Sequence, residues 1–345
     1  MLEGALPRKS GSMKRDRRSA LVWSYFFLVL FVIFFLTPPI YMFITSLKSS
    51  AEVGAVTNPW WVYHPTLENY QALIFSPDYQ TFFVNSAMVS VVVVIVTMLI
   101  SIPAAFALAR MKFWGSATLA MGVFLTYLIP ETLLFIPLFK IFAWVNETFD
   151  IQLINHWWVC IIIFPTLTVP FCTWIMIGYF ASIPKELDEA ALIDGAGYLQ
   201  MLTRIFIPVA LPGIIAATIF AFTVSWADFL YPLAFTTSAD QMLLPTGIYS
   251  TLIKGDVYAW GQIMAACLLG ALPPLLIYAF LMDYYIAGLT AGATKGYSWR
   301  RSTSASWSST TTKRPPCAAS TSTSRTRSSW CWSGRRAAAR PPRCA

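Results

Sequence analysis

Charged side chains are scarce in this chain of 345 residues: only 12% are Asp, Glu, Lys or Arg, while 57% are hydrophobic. An average soluble domain is about one quarter charged. A soluble fold of this length has no means of hiding so much apolar surface from water. The composition therefore indicates a protein whose solvent is lipid.

The residue patterns of catalytic and metal sites are also missing. The six cysteines form no C-x-x-C pair, and although His156 lies four residues before Cys160, no second pair of ligands accompanies it. No H-E-x-x-H motif or Ser/His/Asp set lies within the apolar runs. The phosphate-binding pattern G-x-x-x-x-G-K-[ST] is absent too, because "GATKG" at 292–296 lacks the first glycine spacing and a hydroxyl residue after its lysine. We therefore predict no catalytic residues, no metal site and no cofactor bound by this chain.

The net charge of +8 comes from the end of the chain. Residues 297–345 hold ten of the 24 basic residues and none of the 16 acidic ones, so the rest is nearly neutral and gives no sign of nucleic-acid binding. The same segment contains no Leu, Ile, Val, Met or Phe, and too few apolar side chains remain for it to fold. We expect a disordered tail with the composition of a shifted reading frame, and a natural chain that ends near Gly296.

Six apolar runs are long enough to cross a bilayer, which takes about 20 residues of helix. They lie at roughly 21–45, 84–108, 117–138, 155–180, 211–235 and 262–286. The sequence therefore predicts an all-α membrane protein with six transmembrane helices. It divides into a basic N-terminus at 1–20, a first helix with an external loop at 21–80, a transmembrane core at 81–287 and the tail.

The distribution of Lys and Arg predicts the orientation, because cytoplasmic loops are enriched in both residues. Eleven basic residues ahead of the tail lie on the side of the N-terminus and of the loop 185–213. The loops on the opposite side hold three, which are Lys48, Lys140 and Lys254. We therefore expect both termini and the loop 185–213 to face the cytoplasm.

A helix is predicted near the start of the loop 185–213. Ser182 is a suitable N-cap, and Pro184 suits a first helical turn. Three acidic residues follow at the positive end of the helix dipole: Glu186, Asp188 and Glu189. Gly195 and Gly197 permit a left-handed end, and "YLQMLTRIF" then predicts a second short helix.

One face of the first helix is small and apolar, with carboxylates at its edge. Ala190 and Ala191 allow another surface to approach closely, and the acids can pair with basic residues of a partner. A helix lying on the membrane surface is the alternative, but such helices favour Lys, Arg and bulky apolar residues. We therefore interpret the helix as a docking site for a cytoplasmic protein.

The stretch "ELDEAALIDGAGYLQMLTRIFIPVALPGI" resembles the cytoplasmic loop of the permeases of binding-protein-dependent ABC importers. The family pattern of Glu-Ala-Ala, three residues and Gly is matched from Glu189 to Gly195. Its apolar-Pro element is matched at Ile207–Pro208, with Ile where the family has Leu.

Two further stretches resemble the carbohydrate branch of that family, the maltose-type permeases. They are "FTVSWADFLYPLAF" at 222–235 and "YYIAGLTAGATKG" at 284–296. Ala227 departs from the branch, which more often has Asn at this position. The resemblance, which covers about residues 20–296, implies import of a sugar, an oligosaccharide or a related polyol.

The resemblance also implies an architecture and a set of partners. The fold would be that of a type I importer permease with a cytoplasmic coupling helix, in a bacterial cytoplasmic membrane. The partners would be a second permease subunit in a pseudo-symmetric heterodimer, two ATPase subunits that bind ATP and Mg²⁺, and an extracytoplasmic solute-binding protein. The residues that couple to the ATPase would be Glu186, Glu189, Ala190, Ala191, Asp194, Gly195 and Pro208.

Two carboxylates fall within the predicted spans, Asp228 in the fifth and Glu131, after Pro130, in the third. A carboxylate at mid-span costs about 2.5–3.5 kcal/mol on insertion scales, and it usually faces a cavity or a partner. Near the outer end of its span, Asp228 could instead lie at the interface at little cost. We predict that Asp228 lines the sugar path together with Trp226 and Tyr231, and we place Glu131 second.

A self-contained secondary transporter or channel for a small polar solute is the alternative function. That class calls for internal repeats and paired broken helices within one chain, and the sequence has no visible repeat. Co-purification of an ATPase distinguishes the two classes.

Overall fold

The computed structural model describes residues 10–55, 60–111, 113–255 and 257–282, with side chains from Arg18 onward. The helices are α1 (Ser10–Ser46), α2 (Ser50–Val53), α3 (Glu68–Ile74), α4 (Pro77–Arg110), α5 (Ser116–Tyr127), α6 (Glu131–Phe149), α7 (Val159–Ser182), α8 (Glu186–Ile193), α9 (Tyr198–Met201), α10 (Ile207–Val209), α11 (Leu211–Ala227), α12 (Leu230–Phe235), α13 (Leu244–Leu252) and α14 (Trp260–Met282). A π-helical turn covers Leu202–Phe206 and a 3-10 turn covers Ala239–Gln241. Strands β1 (Ile253–Lys254) and β2 (Val257–Tyr258) form an antiparallel pair. The tail at 297–345 and the 284–296 stretch lie outside the described residues, and the division into domains stays a prediction.

Within the described residues, five helices are long and apolar enough to cross a membrane: α1 from Arg18, α4, α6, α7 and α14. A sixth span is obtained if the helical segments 198–209 and 211–227, which meet at 81°, count as one. The all-α membrane fold predicted from the sequence is therefore confirmed. The first, second, fourth and sixth predicted spans coincide with α1, α4, α7 and α14.

The third predicted span, 117–138, is wrong as a continuous helix. Helix α5 ends at Tyr127, and α6 begins at Glu131 and continues to Phe149. Pro130 lies between them with ψ of 133°, outside the helical region. The break follows from proline chemistry, because Pro130 has no amide hydrogen to donate and disfavours a helical conformation at the preceding residue.

The fifth predicted span, 211–235, is also interrupted. Helix α11 ends at Ala227, and α12 begins at Leu230. Pro232 has no N–H to donate to the carbonyl of Asp228 four residues earlier, so the helical hydrogen bonding is broken there. The Asp228 carboxylate instead accepts a hydrogen bond from the Tyr231 amide at 3.1 Å, which satisfies one of the free amides at the start of α12.

Helices α4, α7 and α11 pack together in the centre of the membrane part. Hydroxyl groups join α4 to α7: Thr97 Oγ1 lies 2.7 Å from Thr168 Oγ1, and Ser101 Oγ donates to the Val169 carbonyl at 3.4 Å. Apolar side chains gain little by leaving lipid for a helix interface, so small residues and interhelical hydrogen bonds hold such bundles together.

Gly213 allows α11 to approach α7 closely. A Cβ atom at this position would lie 2.4 Å from Cγ of Tyr179, well inside van der Waals contact. Gly178, which precedes that tyrosine on α7, has nothing within 4 Å of its own Cβ position. The two glycines thus differ in the space around them, although both are helical.

We expect Gly213→Ala to lower the free energy of unfolding by roughly 1–3 kcal/mol, the usual cost of overpacking a filled interface. Gly178→Ala is the matched control and is expected to be neutral or slightly stabilising, because alanine is the better helix former. Thermal unfolding of the purified protein in detergent measures both. Equal unfolding temperatures for the two variants would contradict the close packing of α11 on α7.

Candidate functional site

The loop predicted at 185–213 ends at Ala210, because α11 begins at Leu211, and we call it the 185–210 loop. It contains the two short helices that the sequence predicts, α8 and α9, joined by a glycine turn. Gly195 has φ of +78°, in the left-handed region that glycine adopts without strain. The amides of Gly195 and Ala196 donate to the carbonyls of Leu192 and Ala191 at 3.1 and 2.9 Å, which is the hydrogen-bond pattern of a Schellman motif. The left-handed end of α8 is therefore confirmed at Gly195.

Two local predictions around these helices are wrong. Gly197 is extended, with φ of −75° and ψ of 164°, and its amide donates to the side chain of Gln200 at the start of α9. Ser182 does not cap α8, because it is the last residue of α7 and its hydroxyl donates to the Tyr179 carbonyl at 2.7 Å. Helix α7 thus continues closer to the loop than the sequence predicts.

One side of the loop is packed into the bundle. Met201, Leu202 and Phe206 are buried in one cluster with the ends of α4 and α7. The rings of Phe106, Phe180 and Phe206 meet edge to face, with centroids 5.0 to 6.2 Å apart. Aromatic pairs in this arrangement contribute about 0.5–1.5 kcal/mol beyond their buried area, so the loop is fixed to both helices.

Arg110, the last residue of α4, makes the polar contacts at the same place. Its Nη1 lies 3.2 Å from Asp188 Oδ2, and its Nη2 donates to the carbonyls of Phe180 and Ile183 at 2.5 Å. Its guanidinium carbon lies 4.9 Å from the centre of the Phe206 ring, within cation–π range. The side chain of Arg110 is 5% exposed and that of Asp188 is 20% exposed.

This contact is not predicted from the sequence, in which Arg110 is a marker of orientation and Asp188 is one of several acids at a helix start. The available signal was an arginine at the end of an apolar span, opposite a loop rich in carboxylates. The residues are 78 positions apart, and no local pattern pairs them.

The opposite side of the loop is exposed and combines apolar and acidic side chains. Ile193 is 86% exposed and Leu199 is 74% exposed, and both lie in the loop between α7 and α11. Leu192 and Tyr198 are exposed beside them. We call this surface the 186–199 face; it comprises Glu186, Glu189, Ala190, Leu192, Ile193, Asp194, Tyr198 and Leu199.

The structure separates the two alanines that the sequence prediction grouped together. Ala190 is exposed on the 186–199 face, whereas Ala191 is 5% exposed and packs inside the chain's own core. Gly195 is exposed at the turn, and Pro208 is exposed in α10, just before the 81° bend into α11.

The residues predicted to line a solute path fall into two groups. Tyr231 donates from its hydroxyl to the Glu131 carbonyl at 3.0 Å, and the Asp228 carboxylate accepts from the Tyr231 amide, so these three lie together. Trp226 packs in a different cluster, where it stacks on Phe222 and donates from Nε1 to the Gly270 carbonyl at 2.8 Å.

Burial also distinguishes these four residues. Trp226 and Tyr231 are buried, so neither presents its ring to a solute in this conformation. Asp228 is half-buried and Glu131 is exposed. The carboxylates therefore remain the accessible members of the predicted set.

Comparison with known proteins is consistent with this architecture. Residues 98–290 match the family described as binding-protein-dependent transport system inner membrane component. The chain is 36% identical over 272 residues to the inner membrane ABC transporter permease protein YcjP of Escherichia coli (strain K12), covering 78% of this chain and 94% of that protein. It is 31% identical over 274 residues to the trehalose/maltose transport system permease protein MalG of Thermococcus litoralis, again covering 78% of this chain and 94% of that protein.

A solved structure supports the fold. The chain superimposes with a TM-score of 0.67 and 20% sequence identity on a chain of a bacterial ABC transporter involved in the import of the acidic polysaccharide alginate, covering 81% of this chain and all of that one. The family match spans more than half of the residues, and a relative 36% identical aligns along most of both chains. This chain therefore belongs to the inner membrane components of binding-protein-dependent transport systems, the permease subunits of ABC transporters.

Proposed function

We propose that this permease imports a sugar or an oligosaccharide and is driven by a separate ATPase that docks on the 186–199 face. The observation that carries the proposal is the exposure of Ile193 and Leu199 within a rim of carboxylates. An exposed apolar patch with a polar rim is typical of a surface that binds a protein or a membrane. Covering an isoleucine or leucine side chain is worth about 1.5–3 kcal/mol, so such a surface favours a bound partner.

The charge of the face favours a protein partner over lipid. Glu186, Glu189 and Asp194 are all exposed there, and helices that lie on membrane surfaces instead present Lys and Arg to anionic headgroups. The three carboxylates suit a partner with basic residues. Glu189 is our candidate for the central pair, because it neighbours the exposed Ala190, where a partner can approach closely.

ATP and Mg²⁺ would be bound by the ATPase partner, since the sequence of this chain has no phosphate-binding glycine motif. The excess of basic residues on the side of the 185–210 loop supports a loop in the cytoplasm, where ATP is available, and both termini on that side. A second permease subunit, two ATPase subunits and an extracytoplasmic solute-binding protein complete the proposed importer in the bacterial cytoplasmic membrane.

The proposed coupling proceeds through the shape of the loop. Ile193 and Leu199 would enter a groove of the ATPase, and Gly195 would hold α8 and α9 at the angle that this groove requires. When the two ATPase subunits close on ATP, they would push the loop of each permease subunit toward the other. The movement would pass into α11 through the 81° bend at Ala210 and open the permease to the opposite side of the membrane.

A sugar is the proposed substrate class because the relative named for trehalose and maltose and the solved transporter for alginate both handle carbohydrate. Within this chain, Asp228 and Glu131 are the proposed polar contacts of the path. They lie at the two helix breaks, and non-helical backbone at membrane depth occurs where it lines a cavity or is buried in protein.

Substitutions on the face test the docking. We expect Ile193→Ser and Glu189→Ala each to weaken co-purification of the ATPase, Ile193→Ser by about tenfold or more, because it removes an apolar side chain worth about 1.5–3 kcal/mol on burial. The measurement is the amount of ATPase recovered with the tagged permease from solubilised membranes.

Glu68→Ala is the control, since Glu68 is an exposed carboxylate of α3 outside the 185–210 loop. It is expected to leave the recovery unchanged. Normal recovery with both loop variants would refute the docking face. Transport of solute by the purified chain alone, along an ion gradient, would instead favour a secondary transporter.

A second pair of variants separates two roles of Asp228. Asparagine can still accept the hydrogen bond from the Tyr231 amide, whereas alanine cannot, and loss of a helix cap costs about 0.5–2 kcal/mol. If the charge contacts the sugar, Asp228→Asn and Asp228→Ala both reduce sugar uptake by several-fold. If Asp228→Asn transports as well as wild type, Asp228 acts as a helix cap and is no longer a candidate sugar contact.

A further inference from the structure

The guanidinium of Arg110 satisfies the end of α7. The last carbonyls of a helix lack partners within the helix, and Nη2 of Arg110 donates to two carbonyls there. These are the carbonyl of Ile183 and that of Phe180, which also accepts from the Ile183 amide at 3.2 Å. A cation at this end also interacts favourably with the helix dipole. The arginine therefore joins the ends of α4 and α7 by contacts that do not involve α8.

The ion pair with Asp188 adds α8 to the same group. Asp188 is 20% exposed, whereas Glu186 and Glu189 in the same turn are exposed to solvent. It is thus the acid of this turn that faces the bundle. Three residues, 183–185, separate α7 from α8, so the pair closes the corner between the two helices.

The burial of this pair raises the cost of breaking it. Arg110 is 5% exposed, and removing one partner of a buried pair leaves an uncompensated charge, unlike the loss of a pair on the surface. Oδ1 of Asp188 and Nε of Arg110 have no hydrogen-bond partner within the described part of the chain. The two side chains therefore meet through the contact between Nη1 and Oδ2.

Helix α4 has no short covalent link to the 185–210 loop, but it packs along both α7 and α11 in the membrane. A displacement of α8 reaches α4 through the contact between Asp188 and Arg110. The ring of Phe206, in the π-helical turn, also contacts the guanidinium of Arg110. α8, α7 and α4 can therefore move as one body when a force acts on the 186–199 face.

We propose that Arg110 and Asp188 are positioning residues that transmit the movement of the docking helix to α4, so that loss of their contact uncouples ATP hydrolysis from sugar transport. This inference rests on the proposed function. Both side chains face the bundle and lie apart from the 186–199 face. Their role is to make the loop rigid with respect to the membrane helices.

The geometry predicts a graded effect. Asp188→Asn removes the charge that holds α8 but leaves both carbonyl contacts of Arg110 with α7 in place. Arg110→Gln removes the contacts with α7 and α8 together and is expected to have the larger effect. Asp188→Glu keeps the charge and is expected to lie closer to wild type than Asp188→Asn.

The test is the number of ATP molecules hydrolysed per sugar imported, measured with the complete importer in liposomes that contain the solute-binding protein and the sugar it carries. We expect Asp188→Asn to keep the ATPase bound and hydrolysis near the wild-type rate while transport falls, so that the ratio rises several-fold. Lys185→Gln is the matched control, because it neutralises an exposed charge three residues away, just before the same helix. Its ratio is expected to equal that of wild type.

An unchanged ratio for Asp188→Asn in an assembled complex would overturn the inference. A parallel fall of assembled complex, hydrolysis and transport would also overturn it, since a merely structural pair would give that result. Arg110→Lys, which keeps the charge but loses the planar fork, serves as the second variant. Absence of folded protein for both Asp188→Asn and Arg110→Lys would count against the inference. Absence of any ATPase from the wild-type preparation would refute the proposed function instead.

Discussion

The corner where α4, α7 and the 185–210 loop meet determines how the loop is presented. Three phenylalanine rings hold the loop by apolar contact, and Arg110 holds it by polar contact with Asp188 and with the end of α7. Because one side of α8 and α9 is packed against the bundle, the opposite side is left exposed. The exposure of Ile193 and Leu199 is thus a consequence of the fixed corner.

The two breaks in the membrane helices also depend on a contact between distant parts of the chain. Pro130 interrupts the third span and Pro232 the fifth, and each leaves backbone groups without helical partners. The breaks meet in space, because the hydroxyl of Tyr231 donates to the carbonyl of Glu131 at 3.0 Å. Irregular backbone in a membrane is tolerated where such partners exist. Tyr231 also bonds to the carboxylate of Asp228, so two candidates from distant parts of the sequence lie together.

The sequence predicts those features that depend on neighbouring residues. Hydropathy locates the spans, and the glycine at 195 predicts the left-handed end of α8. The prolines are also present in the sequence, but whether a proline bends or ends a helix depends on the hydrogen bonds that surrounding residues form. Tertiary contacts are not predicted: nothing in the sequence distinguishes Ala190 from Ala191 or Asp188 from Glu186. Packing nevertheless buries Ala191 and partly buries Asp188, whereas Ala190 and Glu186 stay exposed.

An ATPase that covers the 186–199 face is the central element of the proposed mechanism. A photo-crosslinking amino acid placed at Leu199 and illuminated in intact membranes tests this claim without altering the rest of the loop. We expect a covalent adduct with a subunit that carries the phosphate-binding glycine motif, and no such adduct when the crosslinking amino acid replaces Glu68 instead. Adducts from position 199 with lipid alone would contradict it.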